Sequence, residues 1–187
     1  MYRDRKSIRL AGYDYSLKGL YFVTIDLESK NNLLWEENNI FELNEIGRMI
    51  EKIILEIPIY YLGIFIDEYV VMPNHVHLII NINNAKGRKW DSARTLNQNI
   101  VGADPCIRPI NNIHSNIRPI NQTKLSLSEI IQRFKILSTN RYIDGVKTNN
   151  WPRFFKRLWQ RNYYERIIRN EAEYLRIKQY IKDNPEN

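Results

Sequence analysis

Residues 20–27 (LYFVTIDL) are β-branched and aromatic with polar residues at alternate positions, and they follow Gly19, a pattern that predicts a strand. From Leu43 onward Ile46, Ile50, Ile53, Ile54 and Ile57 recur at helical spacing, and Pro58 is expected to close that helix. Two more strand-like runs, 63–72 (GIFIDEYVVM) and 75–82 (HVHLIINI), are separated only by Pro73 and Asn74, so they should pair as an antiparallel hairpin. The periodicity then stops. The stretch 83–124 is rich in Asn and repeats IRPIN at 107–111 and 117–121, which reads as a long irregular insertion with a slippage-like duplication. Order resumes at Ser126, which with Glu129 forms a capping-box pattern ahead of Leu127, Ile130, Ile131, Phe134 and Leu137. A basic aromatic stretch over 151–159, a strand over 163–168 and a last helix capped by Asn170 and Glu173 follow.

The order strand, helix, strand, strand, helix, strand, helix predicts an α+β domain. Its expected form is a ferredoxin-like antiparallel sheet with two packed helices and a further C-terminal helix. A chain of 187 residues fits one domain, 1–187, with the insertion at 83–124 inside it. Hydrophobic residues at 43% and charged residues at 26% suit a folded soluble protein. The net charge of +7 adds a positive field that favours polyanions, nucleic acid first among them. Cys106 is the single cysteine, which excludes an internal disulfide or a Cys-rich zinc site and fits a cytoplasmic setting. The charged start MYRDRKSIRL lacks the apolar core of a signal peptide, and no run is apolar enough to span a bilayer, so no membrane association is expected.

Two of the three histidines, His75 and His77, stand two apart on a strand, which puts both imidazoles on one face in a chelating arrangement. Val76, Leu78 and Ile80 then face the core. The bland alternative is a pair of histidines that hydrogen-bond on a sheet surface. On the last helix Tyr180 and Asn184 are one turn apart, and Tyr174, Ile177 and Ile181 form the stripe that would dock the helix with Tyr180 at its edge. Here the bland alternative is a half-buried packing tyrosine. Pro185 biases Asn184 away from helical geometry and favours an early helix end.

VVMPNHVHLII at 70–80 together with LWQRNYYERIIRNEAEYLRIKQYIKDNP at 158–185 resembles the HUH-type single-tyrosine transposases, REP-associated tyrosine transposases most of all. GLYFVTIDL at 19–27 and SLSEIIQRFK at 126–135 also fit, so the resemblance spans most of the chain outside the insertion. It implies a ferredoxin-like or RRM-like fold, a divalent metal, Mg or Mn, held by His75 and His77 with Asn184 as a polar third ligand, and Tyr180 as the nucleophile. The implied reaction cuts and rejoins single-stranded DNA at REP-like or terminal hairpins through a 5′-phosphotyrosine. A homodimer is compatible with it.

The run 147–169 interleaves cations with aromatic rings, which suits phosphate contacts and base stacking. Arg153, Lys156, Arg157, Trp159, Arg161 and Arg169, with Lys135 on the preceding helix, are the candidate DNA contacts; Arg166, Arg133 and Arg141 are secondary ones. Two other functions stay open on the residues alone. One is a metal-dependent phosphoesterase that activates water at the His pair. The other is a non-catalytic module that binds single-stranded nucleic acid.

Overall fold

The computed structural model describes residues 9–10, 12–37, 42–83 and 125–184, within the unit formed by 1–84 and 124–187. The expected insertion at 83–124 lies, apart from Asn83, outside the described residues. Seven elements follow in order: β1 (Gly19–Asp26), α1 (Glu45–Tyr60), β2 (Ile64–Val71), β3 (His75–Ile82), α2 (Leu127–Thr148), β4 (Tyr164–Ile168) and α3 (Glu171–Asp183). The strands form one antiparallel sheet in the order β2-β3-β1-β4. Each of the two central strands therefore comes from a different βα or ββ unit, which is the ferredoxin-like arrangement expected from the element order.

Alternation along the strands builds two unequal layers. Val23 and Ile25 of β1 and Val76, Leu78, Ile80 and Ile82 of β3 join the buried faces of α1 and α2 in the larger core. The opposite faces of the same strands carry Phe22 and Ile79, which with Ile168 of β4 and Ile177 and Ile181 of α3 make a second, smaller cluster. α3 thus docks on the side of the sheet away from α1 and α2, with Tyr174 packed beside it.

Local chemistry explains the element ends. Asn44 caps α1 by accepting from the Gly47 N–H, and α1 then runs two residues past Pro58, where the sequence pattern had it closing. Pro58 lies in the last turn, so its missing N–H forfeits one helical bond, and the Tyr61 N–H still closes on the Ile57 carbonyl. Ser126 and Glu129 form the expected capping box on α2, and Asn170 caps α3 through the Glu173 N–H. The far end of α2 is set by Gly145, where an added Cβ would fall 2.2 Å from the Trp151 ring. A side chain there would push the strap that follows, residues 149–163, off the helix.

Candidate active site

β1 and β3 bring the first half of the site together through register. Their pairing sets Thr24 against His77 and Asp26 against His75. His75 and His77 point to the α3 side of the sheet with their Nε2 atoms 3.1 Å apart. Each ring is oriented from behind. Asn74 donates its amide to the Lys30 carbonyl at 3.1 Å, which turns its Oδ1 toward His75 Nδ1 at 2.7 Å. His75 therefore carries its proton on Nδ1 and presents a bare Nε2. The Thr24 hydroxyl lies 2.8 Å from His77 Nδ1, and Phe22 stacks on the His77 ring at 5.3 Å. Burial lowers the pKa of His75; burial, reinforced by His75, pushes His77 down to about 4. Both rings are neutral at pH 7, the form that ligates a metal.

α3 supplies the second half. Ile177 and Ile181 bury its apolar stripe and leave Tyr180 at the edge, 50% exposed, with its ring edge-on to His77 at 5.5 Å and to Phe22 at 6.2 Å. A polar latch fixes the helix along β2. A bulge between Ile66 and Glu68 takes Asp67 out of the pairing, and its carboxylate accepts from the Tyr174 hydroxyl at 2.6 Å. Lys178 lies 3.8 Å from Asp67 and 3.5 Å from Glu68. The Glu68 contact is a separate pair. Asn184 follows α3 in helical geometry, φ −63° and ψ −33°, despite Pro185.

The residues present fit a divalent ion. Two imidazole nitrogens about 2.1 Å from a shared ion would stand roughly 3.0–3.4 Å apart, close to the Nε2 separation here. The amide nitrogen of Asn184 is buried with no hydrogen-bond partner among the described residues, so that amide has an unsatisfied polar end to offer. Turned over, it would present its oxygen. No group of three His, Cys, Asp or Glu side chains that could hold an ion occurs among the described residues, so a third ligand drawn from them would be of another type.

The candidate DNA contacts divide. Arg153, Lys156, Arg157, Arg161 and Arg169 are exposed. Lys156 has φ +65°, a left-handed backbone that turns its Nζ over the Phe155 ring at 5.2 Å, and Phe155 itself is 82% exposed. Arg157 lies 4.0 Å from Glu28. Trp159 is not a stacking platform: it is 4% exposed, packs on Phe134 at 5.3 Å and donates its indole N–H to Ser138. A ring enclosed on both faces has none left for a base. Lys135 spends its ammonium on the carbonyls of Gln160 and Asn162 at 2.8 and 3.0 Å, and burial pushes it down to about 8. It holds the strap against α2. The secondary candidates are also engaged: Arg141 pairs with Glu56, Arg133 covers the Tyr61 ring, and Arg166 pairs with Glu173.

Between α2 and the strap runs a groove of about 790 Å³ with Ile136, Ile143 and Phe154 in its wall and Lys156, Arg157 and Arg161 along it. At one end of the groove the Gln160 N–H donates to the carbonyl of Asp26, the last residue of β1. Sequence reasoning missed this groove, together with Phe22, Thr24, Asn74 and Asp67. Thr24 and Asn74 did leave a trace, as a polar residue within an apolar strand and as the residue beside His75.

Over 186 residues the chain is 34% identical to an uncharacterized protein of Haemophilus influenzae, covering 97% of this chain and 88% of the relative. The two belong to one family. No family model matches this family member. Among solved structures it resembles a REP-associated tyrosine transposase bound to a REP hairpin, at a TM-score of 0.53 and 18% identity, over 100% of this chain and 73% of the other. That likeness establishes a shared fold. Among the described residues no helix is long and apolar enough to cross a membrane.

Proposed function

We propose that this protein is a tyrosine transposase-type strand transferase that cuts and rejoins single-stranded DNA at hairpins. The observation that carries the reading is the Tyr180 ring lying 5.5 Å from His77, whose Nε2 is 3.1 Å from that of His75. A phenol and paired imidazoles from distant parts of the chain share one small site, and neither is needed by the main core. The shared fold with a transposase bound to a hairpin supports the same reading.

His75 and His77, with Asn184, would hold a divalent ion such as Mg or Mn; when bound it supplies charge that polarises the scissile phosphate and eases ionisation of the phenol. Thr24 and Asn74 keep both imidazoles aimed. The Tyr180 oxygen attacks phosphorus, the bond to the 3′ oxygen breaks, and the products are a 5′-phosphotyrosine and a 3′ hydroxyl. The phenol proton leaves to solvent at this half-exposed position, and the departing 3′ oxygen takes one up. Because the phosphodiester count is unchanged, the 3′ hydroxyl of another end can reverse the step and join the strands. The basic groove beside α2 would carry the strand by its phosphates, with Phe155 as the exposed ring for stacking.

Incubation of the protein with single-stranded hairpin DNA and Mg or Mn tests this. A covalent adduct is expected that Tyr180→Phe abolishes, at least about a thousandfold, while DNA affinity stays within about twofold. Cleavage that survives in Tyr180→Phe without an adduct would instead mark water activation at the His pair.

A further inference from the structure

Two consecutive tyrosines at the start of β4 face opposite sides of the sheet. Tyr163 lines the groove beside α2, where Ser128 and Lys135 hold it. Tyr164 stands directly opposite Thr24 of β1, and Thr24 stands opposite His77 of β3, so these three residues form one row on the α3 side. α3 covers only part of that side. The apolar cluster beneath it takes in Phe22 and Ile168 and leaves out Tyr164, which is 50% exposed. Among the described residues no side-chain hydrogen bond or ring contact engages Tyr164, and β4 pairs with β1 alone. A lone exposed tyrosine on an edge strand is ordinary. One in the same row as Thr24 and His77, with its ring uncommitted, has a place beside the candidate active site.

We propose that Tyr164 is a base platform of the cleavage site, on which the single strand lays the base of a nucleotide close to the scissile phosphate. The inference rests on the reading above that the chain cuts single-stranded DNA. The groove beside α2 has Tyr163 in its wall, and the next residue already belongs to the α3 side, so a strand leaving the groove reaches the imidazoles around the open edge of β4. Tyr164 and His77 are two strands apart, which sets their backbones roughly 10 Å apart and the stacked base within about two nucleotides of the phosphate. Every base has a π face, so a phenol ring holds the strand there without reading its sequence. Stacking of this kind positions the phosphate for Tyr180 and takes no part in the bond changes.

The test is the rate of covalent adduct formation on a single-stranded hairpin with Mn, using substrates in which one abasic site is moved through the nucleotides flanking the cut. Tyr164→Leu should raise KM about tenfold and leave kcat within about twofold. Tyr164→Phe, which keeps the ring and loses only the hydroxyl, should match the wild type. At one flanking nucleotide the abasic site should raise the wild-type KM by a similar factor and leave that of Tyr164→Leu unchanged. The proposal is overturned by a wild-type KM in Tyr164→Leu, by a loss in Tyr164→Phe equal to that in Tyr164→Leu, or by an abasic penalty that persists in full in Tyr164→Leu. If Tyr164→Leu fails to fold, the wild-type scan still decides: no sensitive position within two nucleotides of the cut overturns the proposal. Absence of any adduct from the wild type would sink the parent reading and this one with it, whereas an adduct indifferent to the ring sinks this one alone.

Discussion

The two faces of the sheet are built from alternate residues of the same strands and have opposite characters. Toward α1 and α2, Val76, Leu78, Ile80 and Ile82 of β3 meet a continuous aliphatic layer. Toward α3 the same strand offers His75, His77 and Ile79, and the apolar cluster there has five buried members among the described residues. One face holds the molecule together, and the other holds α3 just firmly enough to place a tyrosine. The chain can therefore tolerate a buried and a half-buried imidazole on β3 because Leu78 and its neighbours stabilise the strand from behind.

The largest expected effect comes from breaking the stabilising face. Leu78→Ala, at a fully buried site, should lower unfolding free energy by about 2–5 kcal/mol in urea titrations, with no selective effect on chemistry. Tyr180→Phe, on the other face, should leave that free energy within about 0.5 kcal/mol.

A second prediction uses pH on the imidazole side. His77 titrates at about 4 in the folded chain against 6.5 when unexposed to burial, so between those values the unfolded chain binds the extra proton. Stability contributed by the neutral ring is complete above 6.5 and is lost as pH falls toward 4, by up to about 3 kcal/mol. Denaturation of chelator-treated protein at pH 7.5 and 4.5 should show a loss that is correspondingly smaller in His77→Asn. Equal losses in both would mean the ring is not held neutral by its surroundings.

The smallest effect sharpens the contrast most. Tyr174→Phe removes the hydroxyl that donates to Asp67 and should cost only about 1 kcal/mol in stability. Because that bond fixes α3 along β2, the rate of adduct formation should nevertheless fall severalfold. A rate that does not move would show that Ile177 and Ile181 place the helix by themselves.

Much of this was legible along the chain. Aliphatic periodicity marked α1 and α2, and the two-residue turn at Pro73 and Asn74 fixed β2 and β3, because these signals are local. The spacing of His75 and His77 and the stripe of Ile177 and Ile181 placed the candidate site for the same reason. What stayed hidden depended on non-local partners. Thr24 orients His77 only because β1 and β3 pair in that register, and the bulge that frees Asp67 has no local signature. Trp159 looked like a stacking ring because its neighbours are cationic; its enclosure by Phe134 and Ser138 is a tertiary fact. Pro58 misled in the other direction, since a proline near a helix end removes a single bond.

The most direct measurement is the mass of the proteolytic peptide that carries DNA after reaction with a single-stranded hairpin and Mn. The account requires the added 5′-phosphonucleotide on the α3 peptide, at Tyr180. Its appearance on any other tyrosine, or strand cleavage with every tyrosine unmodified, would contradict the account.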